Sequence, residues 1–200
     1  MTLFPQKPYA ESCVRNSQPI LEVLARYLEP GSEILEIGSG TGQHAVHFCQ
    51  AFPSITWQTS DLRETHAGIQ LWIEESGLTN LIPPLTLDVA QAQWPTQQYD
   101  TIFTANTAHI MAAEAVEKMF RAIPYCLKEG GQFILYGPFK YDGQHTSESN
   151  IHFEHWLKSV ATHRGIRDVT WLQTIGDELG IKLIDDIEMP ANNRILVWQR

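Results

Sequence analysis

Residues 38 to 42, "GSGTG", place three glycines straight after the apolar run "EILEI" (33 to 37) and straight before a stretch with helical spacing. In an open parallel sheet, ligands bind beyond the carboxyl ends of the strands, where a strand turns into its helix. Glycines there allow backbone angles closed to other residues, and the missing Cβ lets the main chain touch a ligand. The turn reads as a cofactor seat.

The rest of the chain alternates in the same way. "SQPILEVLARYLE" (17 to 29) puts Pro19 near a helix start, with Ile20, Leu21, Leu24 and Leu28 on one face. After the glycine turn, apolar runs at 55 to 60, 81 to 88, 99 to 106 and 130 to 137 take turns with helical stretches at about 62 to 76, 111 to 127 and 168 to 179. Such alternation predicts an α/β fold with a mostly parallel sheet covered on both faces. The closing runs "IKLIDDIEM" and "RILVWQ" are joined by "PANN" (190 to 193), which predicts a hairpin and a sheet that ends in an antiparallel strand. One segment is out of scale: residues 138 to 167 far exceed the usual connection of roughly 2 to 6 residues. Phe153, Trp156, Leu157 and Val160 recur there at helical spacing, so the segment is expected to form a short helix lying over the site, as a lid or acceptor-site segment.

Two hundred residues, 43% of them hydrophobic, suffice for one buried core, and a single domain over 1–200 is expected. The net charge of −9 offers no basic stripe for phosphate backbones, which makes nucleic acid an unlikely partner. Cys13, Cys49 and Cys126 are odd in number and widely spaced, which suggests a reducing compartment. No signal-peptide pattern opens the chain and no apolar run approaches the ~18 residues of a span, so a cytoplasmic protein without a membrane partner is expected.

The turn also limits its ligand. A dinucleotide fingerprint, GxGxxG, would place its third glycine where Gln43 stands, and no GK[ST] follows for a phosphate loop. The pattern is instead E-x-G-x-G-x-G, with Glu36 two residues before Gly38. A carboxylate so close would repel a pyrophosphate but suits a ligand carrying an ammonium and a sulfonium.

In "LEIGSGTG" the sequence resembles the first motif of the class I S-adenosylmethionine-dependent methyltransferases, over nearly the whole chain. With "RNSQPILEVL" upstream and "YGPF" downstream it is similar to a small group of about 200 residues that includes the methyltransferase-like protein 26 family. The resemblance implies a Rossmann-like, seven-stranded sheet, S-adenosylmethionine as cofactor, and methyl transfer to a small-molecule or protein acceptor. It implies that Gly38, Ser39, Gly40 and Gly42 line the methionine and ribose side of the cofactor. Asp61, followed by Leu62, would accept from the ribose hydroxyls, and Asp88 from the adenine amino group with the Val89 amide near the ring. Asn106 and Thr107 would meet the methionyl part, and Arg15 and Asn16, just before the first helix, would clasp its carboxylate.

His109 in "NTAHI" is a candidate general base or positioning group, Tyr136 could face the acceptor, and Glu148 is another possible base. His145, His152, His155 and His163 gather in the long insertion, but no carboxylate or thiol completes a ligand set beside them, so no metal is expected. The "NTAH" motif departs from the Asn-Pro-Pro-aromatic signature of methyltransferases that act on exocyclic amines of nucleic acids, which favours a small-molecule acceptor. Two other readings stay open: a non-catalytic module that binds S-adenosylmethionine and regulates a partner, and an NAD-dependent oxidoreductase.

Overall fold

The computed structural model describes residues 7–91 and 93–200, in two compact units that divide between Asp88 and Val89. The first unit runs α1 (Glu11–Leu24), β1 (Glu33–Glu36), α2 (Gln43–Ala51), β2 (Thr56–Asp61), a 3-10 turn at Arg63–Thr65, α3 (His66–Ser76) and β3 (Leu81–Thr86). β1 pairs parallel with β2, and β2 parallel with β3. β1 and β2 bury Ile34, Leu35 and Trp57, and the helices bury Ile20, Leu24, Phe48 and Ile69, with the rings of Phe48 and Trp57 5.5 Å apart. β3 is an edge strand, which is where Pro83 and Pro84 can sit without leaving a central ladder short of donors.

The expected start of α1 at Pro19 is corrected. The helix begins eight residues earlier, at Glu11, and Pro19 lies inside it. Proline removes the bond to the carbonyl four residues back, and the turn before it is held by Ser17, whose Oγ donates to the Cys13 carbonyl at 2.6 Å. The helix also ends early, at Leu24, so Leu28 falls outside it.

The second unit contains β4 (Tyr99–Ala105), α4 (Ala113–Cys126), β5 (Leu127–Gly137), β6 (Phe139–Tyr141), β7 (Gln144–His145), α5 (Glu148–Val160), β8 (Arg167–Asp168), α6 (Val169–Glu178), β9 (Lys182–Met189) and β10 (Asn193–Gln199). β4 and β5 are parallel, while β10 is antiparallel to both β5 and β9. Phe120, Phe133 and Trp198 form its aromatic centre, with centroids 5.1 to 5.6 Å apart. Such pairs add roughly 0.5–1.5 kcal/mol each beyond their buried area.

The main sheet has seven strands in the order β3-β2-β1-β4-β5-β10-β9, flanked by helices, and is mostly parallel with an antiparallel C-terminal strand. The predicted hairpin is present, with a 3-10 turn at Pro190–Asn192. Its last strand does not end the sheet, however: β10 enters between β5 and β9, and β9 takes the edge.

The insertion holds more than the expected helix. β7, β6 and β8 make a second, three-stranded sheet around α5. Ser147 caps α5 by accepting from the Asn150 amide at 3.2 Å, and the buried face of the helix is Asn150, Glu154 and Leu157. Trp156 and Val160, expected on the apolar face, are 55% and 50% exposed. No described helix is long and apolar enough to cross a membrane.

Candidate functional site

The glycine turn follows β1, and its three glycines have φ of 72°, 59° and 89° at Gly38, Gly40 and Gly42. These left-handed angles favour glycine. Gly42 has a second reason to be bare, since a Cβ there would meet Ile69 Cα at 3.3 Å, whereas a Cβ on Gly40 would enter open space. The turn is fastened to the end of β2. The amides of Gly38 and Ser39 donate to the Ser60 carbonyl at 3.0 and 2.9 Å, and the Ser60 amide donates back to Ser39 Oγ at 3.1 Å.

Asp61, the last residue of β2, completes the arrangement. Its Oδ2 accepts from the Gly40 amide and its Oδ1 from the Leu62 amide, both at 2.7 Å. A carboxylate oxygen has a second lone pair to offer, so a fixed, half-exposed carboxylate stands beside the bare edge of the turn and can still accept from a vicinal diol.

Glu36, the acid whose charge suits a cationic ligand in the sequence reading, does not face outward. It is 2% exposed, and its Oε2 accepts from the Trp57 indole at 3.2 Å. Burial above all, and then Asp61, raise its pKa to about 7, against the opposing hydrogen bonds from Ser39 and Trp57. Between the ordinary value of 4.5 and about 7, the folded chain keeps a proton that the unfolded chain releases, so folding stability should fall as pH rises through that window and level off above it. The loss is roughly 3 kcal/mol. Glu36→Gln cannot ionise and should lack it. Urea denaturation of both proteins at about pH 5 and pH 8 reads the difference, and equal pH dependence in the two would refute it.

Two partners of the turn escaped the sequence reading. Gln43, the first residue of α2, is buried, and its Oε1 accepts from the Ala10 amide at 2.6 Å and from Thr41 Oγ1 at 3.0 Å. It clamps the start of α1 to the turn. His44 is buried against Phe48, with its pKa lowered to about 4, chiefly by burial. A polar pair directly behind a glycine turn was the available signal. Arg15 and Asn16 lie within α1 rather than before it. Arg15 points to solvent and pairs with Glu11 at 3.3 Å. Asn16 is half-buried, one turn beyond Cys13, whose Sγ lies 4.0 Å from Thr41 Oγ1. Asp88 follows β3 and is half-buried.

In the second unit, Val89 is buried. Asn106 directly follows β4 with φ 60°, a conformation that asparagine tolerates better than most residues. Its amide donates to the Tyr136 carbonyl at 2.9 Å, and Thr107 shares a 2.6 Å hydroxyl bond with Thr104. Tyr136 is buried, which pushes its phenol up to about 12 and keeps it neutral. His109 is 6% exposed, edge-on to Phe153 at 5.3 Å. Burial first, then Arg167 and Arg164, lower its pKa to about 4. It is therefore neutral at pH 7 and a weak base. Glu148 is exposed at the start of α5, 3.7 Å from His152.

The insertion holds the loop that carries His109. Arg167 Nε donates to the Ala108 carbonyl at 3.0 Å, and its Nη2 donates to the carbonyls of Met111 and His163. The Gly165 amide donates to the His109 carbonyl at 3.0 Å. No cluster of three His, Cys, Asp or Glu suited to a metal occurs among the described residues.

A family model described as "Protein of unknown function (DUF938)" matches residues 7–200. The chain belongs to the DUF938 family. Among solved structures, the DUF938 chain is similar to an O-methyltransferase family protein from Burkholderia thailandensis, with a TM-score of 0.82, 16% identity and 95% of this chain against 57% of that one. An O-methyltransferase family 2 protein from Planctomyces limnophilus in complex with apigenin gives 0.79, 16%, and 95% against 60%. Human N-acetylserotonin methyltransferase in complex with SAM gives 0.77, 15%, and 95% against 53%. The DUF938 chain thus spans little more than half the length of these proteins and shares with them the methyltransferase fold.

Proposed function

We propose that this DUF938 protein is an S-adenosylmethionine-dependent methyltransferase for a small-molecule acceptor, allied to the methyltransferase-like protein 26 group. The observation that carries the reading is the Asp61 carboxylate fixed by the Gly40 and Leu62 amides beside a turn that is open at Gly40. Those groups suit a ribose diol and a close-lying chain, and the third glycine is misplaced for a dinucleotide. Methyltransferases among the solved neighbours, one of them with SAM, support the same reading.

In this reading Gly38, Ser39, Gly40, Gly42, Asp61 and Leu62 hold the cofactor, with Asp88 and Val89 at its adenine and Asn16, Asn106 and Thr107 toward its methionyl part. Arg15 would have to leave Glu11 to join them. S-Adenosylmethionine supplies a methyl group on an already activated sulfonium, so the protein's task is alignment and exclusion of water. Neutral His109 and Tyr136 then serve as positioning groups on the acceptor side, and residues 138–167 build the acceptor segment.

Calorimetric titration with S-adenosylmethionine, S-adenosylhomocysteine and NAD tests this. Micromolar binding of the first two is expected, while binding of NAD alone would overturn the reading. Gly40→Ala sharpens the test, because its Cβ meets nothing and the positive φ costs only about 1–2 kcal/mol. Folding should survive with a modest fall in melting temperature, while S-adenosylhomocysteine binding should weaken by about tenfold or more, some 1.4 kcal/mol. Unchanged binding would show that the ligand does not approach the turn.

A further inference from the structure

The arginines of this chain differ in what they hold. Arg15, Arg121 and Arg194 pair with carboxylates, and Arg167 is committed to three carbonyls. Arg164 has no such partner: its Nε is buried and makes no hydrogen bond among the described residues. The side chain as a whole is half-buried, and an unpaired buried N–H carries a desolvation cost that a bound anion would relieve.

Arg164 also stands near enough to His109 to act on its charge. Arg164 directly precedes Gly165, whose amide donates to the His109 carbonyl at 3.0 Å. His109 lies against Phe153, and Phe153 stacks on the half-exposed Trp156 at 5.6 Å and 16°. The nearby acid of the insertion, Glu154, is already shared among His145 at 2.6 Å, Lys158 at 3.2 Å and Lys140 at 3.8 Å. Residues 138–167 hold four basic against three acidic side chains in a protein of net charge −9. Arg167 and Arg164 both act electrostatically on His109.

We propose that Arg164 is a specificity-determining residue that binds the acidic group of the methyl acceptor, so that the acceptor is a small carboxylate or acidic hydroxyl compound and not an amine. This rests on the methyltransferase reading and names its substrate class. A cationic amine would be repelled by Arg164 and Arg167, whereas an anion gains a charge-assisted hydrogen bond about twice as strong as a neutral one. Such an acceptor arrives deprotonated, so no residue has to remove a proton, which agrees with a weakly basic His109. The Phe153–Trp156 stack favours a planar body behind the acid.

The test is titration of the nitrogen-15-labelled full chain with benzoate and, separately, benzylamine, reading the arginine Nε–H signals by NMR. Benzoate should move the Arg164 Nε–H signal and bind at least about tenfold tighter than benzylamine, a difference of 1.4 kcal/mol. Arg164→Gln should lose that preference without a fall in melting temperature. Arg164→Lys keeps the charge and should retain the preference, which covers the case of a Gln variant that does not fold. Equal binding of the two probes, benzoate binding without a shift at Arg164, or no binding of benzoate would overturn the proposal. S-Adenosylhomocysteine, titrated into the same sample, separates the two failures: if it binds while benzoate does not, only the acceptor class is wrong. If it does not bind, the methyltransferase reading falls, whatever benzoate does.

Discussion

Alanine at Asp61 should weaken S-adenosylmethionine binding by about 100-fold or more, the largest effect expected from a single side chain. Each hydrogen bond to a charged group contributes roughly 1.5–3 kcal/mol, and a diol takes two of them, whereas 1.4 kcal/mol already amounts to tenfold. The same change removes the acceptors of the Gly40 and Leu62 amides, so the turn loses its fixed shape as well as its partner for the ligand. Those amides lie near solvent and can turn to water, which should keep the cost to folding near 1 kcal/mol. Asp61→Asn keeps one acceptor oxygen and should fall between the two. Calorimetry with the purified variants decides the matter, and full affinity in the alanine variant would remove Asp61 from the site and take the cofactor reading with it.

Arg167→Ala should produce the second large effect, this time on folding. The guanidinium joins Ala108, Met111 and His163 through three carbonyls, tying the insertion to the loop after β4. Loss of three charge-assisted bonds, partly compensated by water, should cost about 3 kcal/mol, which for a chain of this size lowers the melting temperature by about 6–12 °C. Arg167→Lys can serve fewer of the carbonyls at once and should recover only part. Differential scanning calorimetry reads this, and a melting temperature within about 2 °C of the parent would mean that packing, not Arg167, holds the loop.

The parts of the molecule legible in the sequence were those with a local cause. Glycine spacing placed the turn and the start of α2, apolar runs placed the strands, and "PANN" placed the hairpin. Pro19 misled because a proline inside a helix has the same appearance in sequence as one at its start; the tie from Ser17 to the Cys13 carbonyl is what lets the helix run through. The insertion was legible as an oddity of length but not as a second sheet, since β7 and β8 are two residues each and carry no period. Glu36 was legible as an acid beside glycines, whereas its burial under Trp57 depends on a partner 21 residues away. Gln43 and Arg167 share that difficulty. Each acts on backbone supplied by another part of the chain, and nothing in the local sequence records it.

The placement of β10 between β5 and β9 gives the two strands of the terminal hairpin unequal permanence. β10 is bonded along both edges and buries Ile195 to Trp198, while β9 is bonded along one edge and keeps Ile184 in contact with water. Deuterium should therefore enter the outer strand through local fraying, long before the inner strand gives up its amide protons. The outer strand is a rim that can open and close without disturbing the aromatic centre beneath Trp198. Graft sites for a peptide or a probe belong on that rim, and the inner strand should be left untouched.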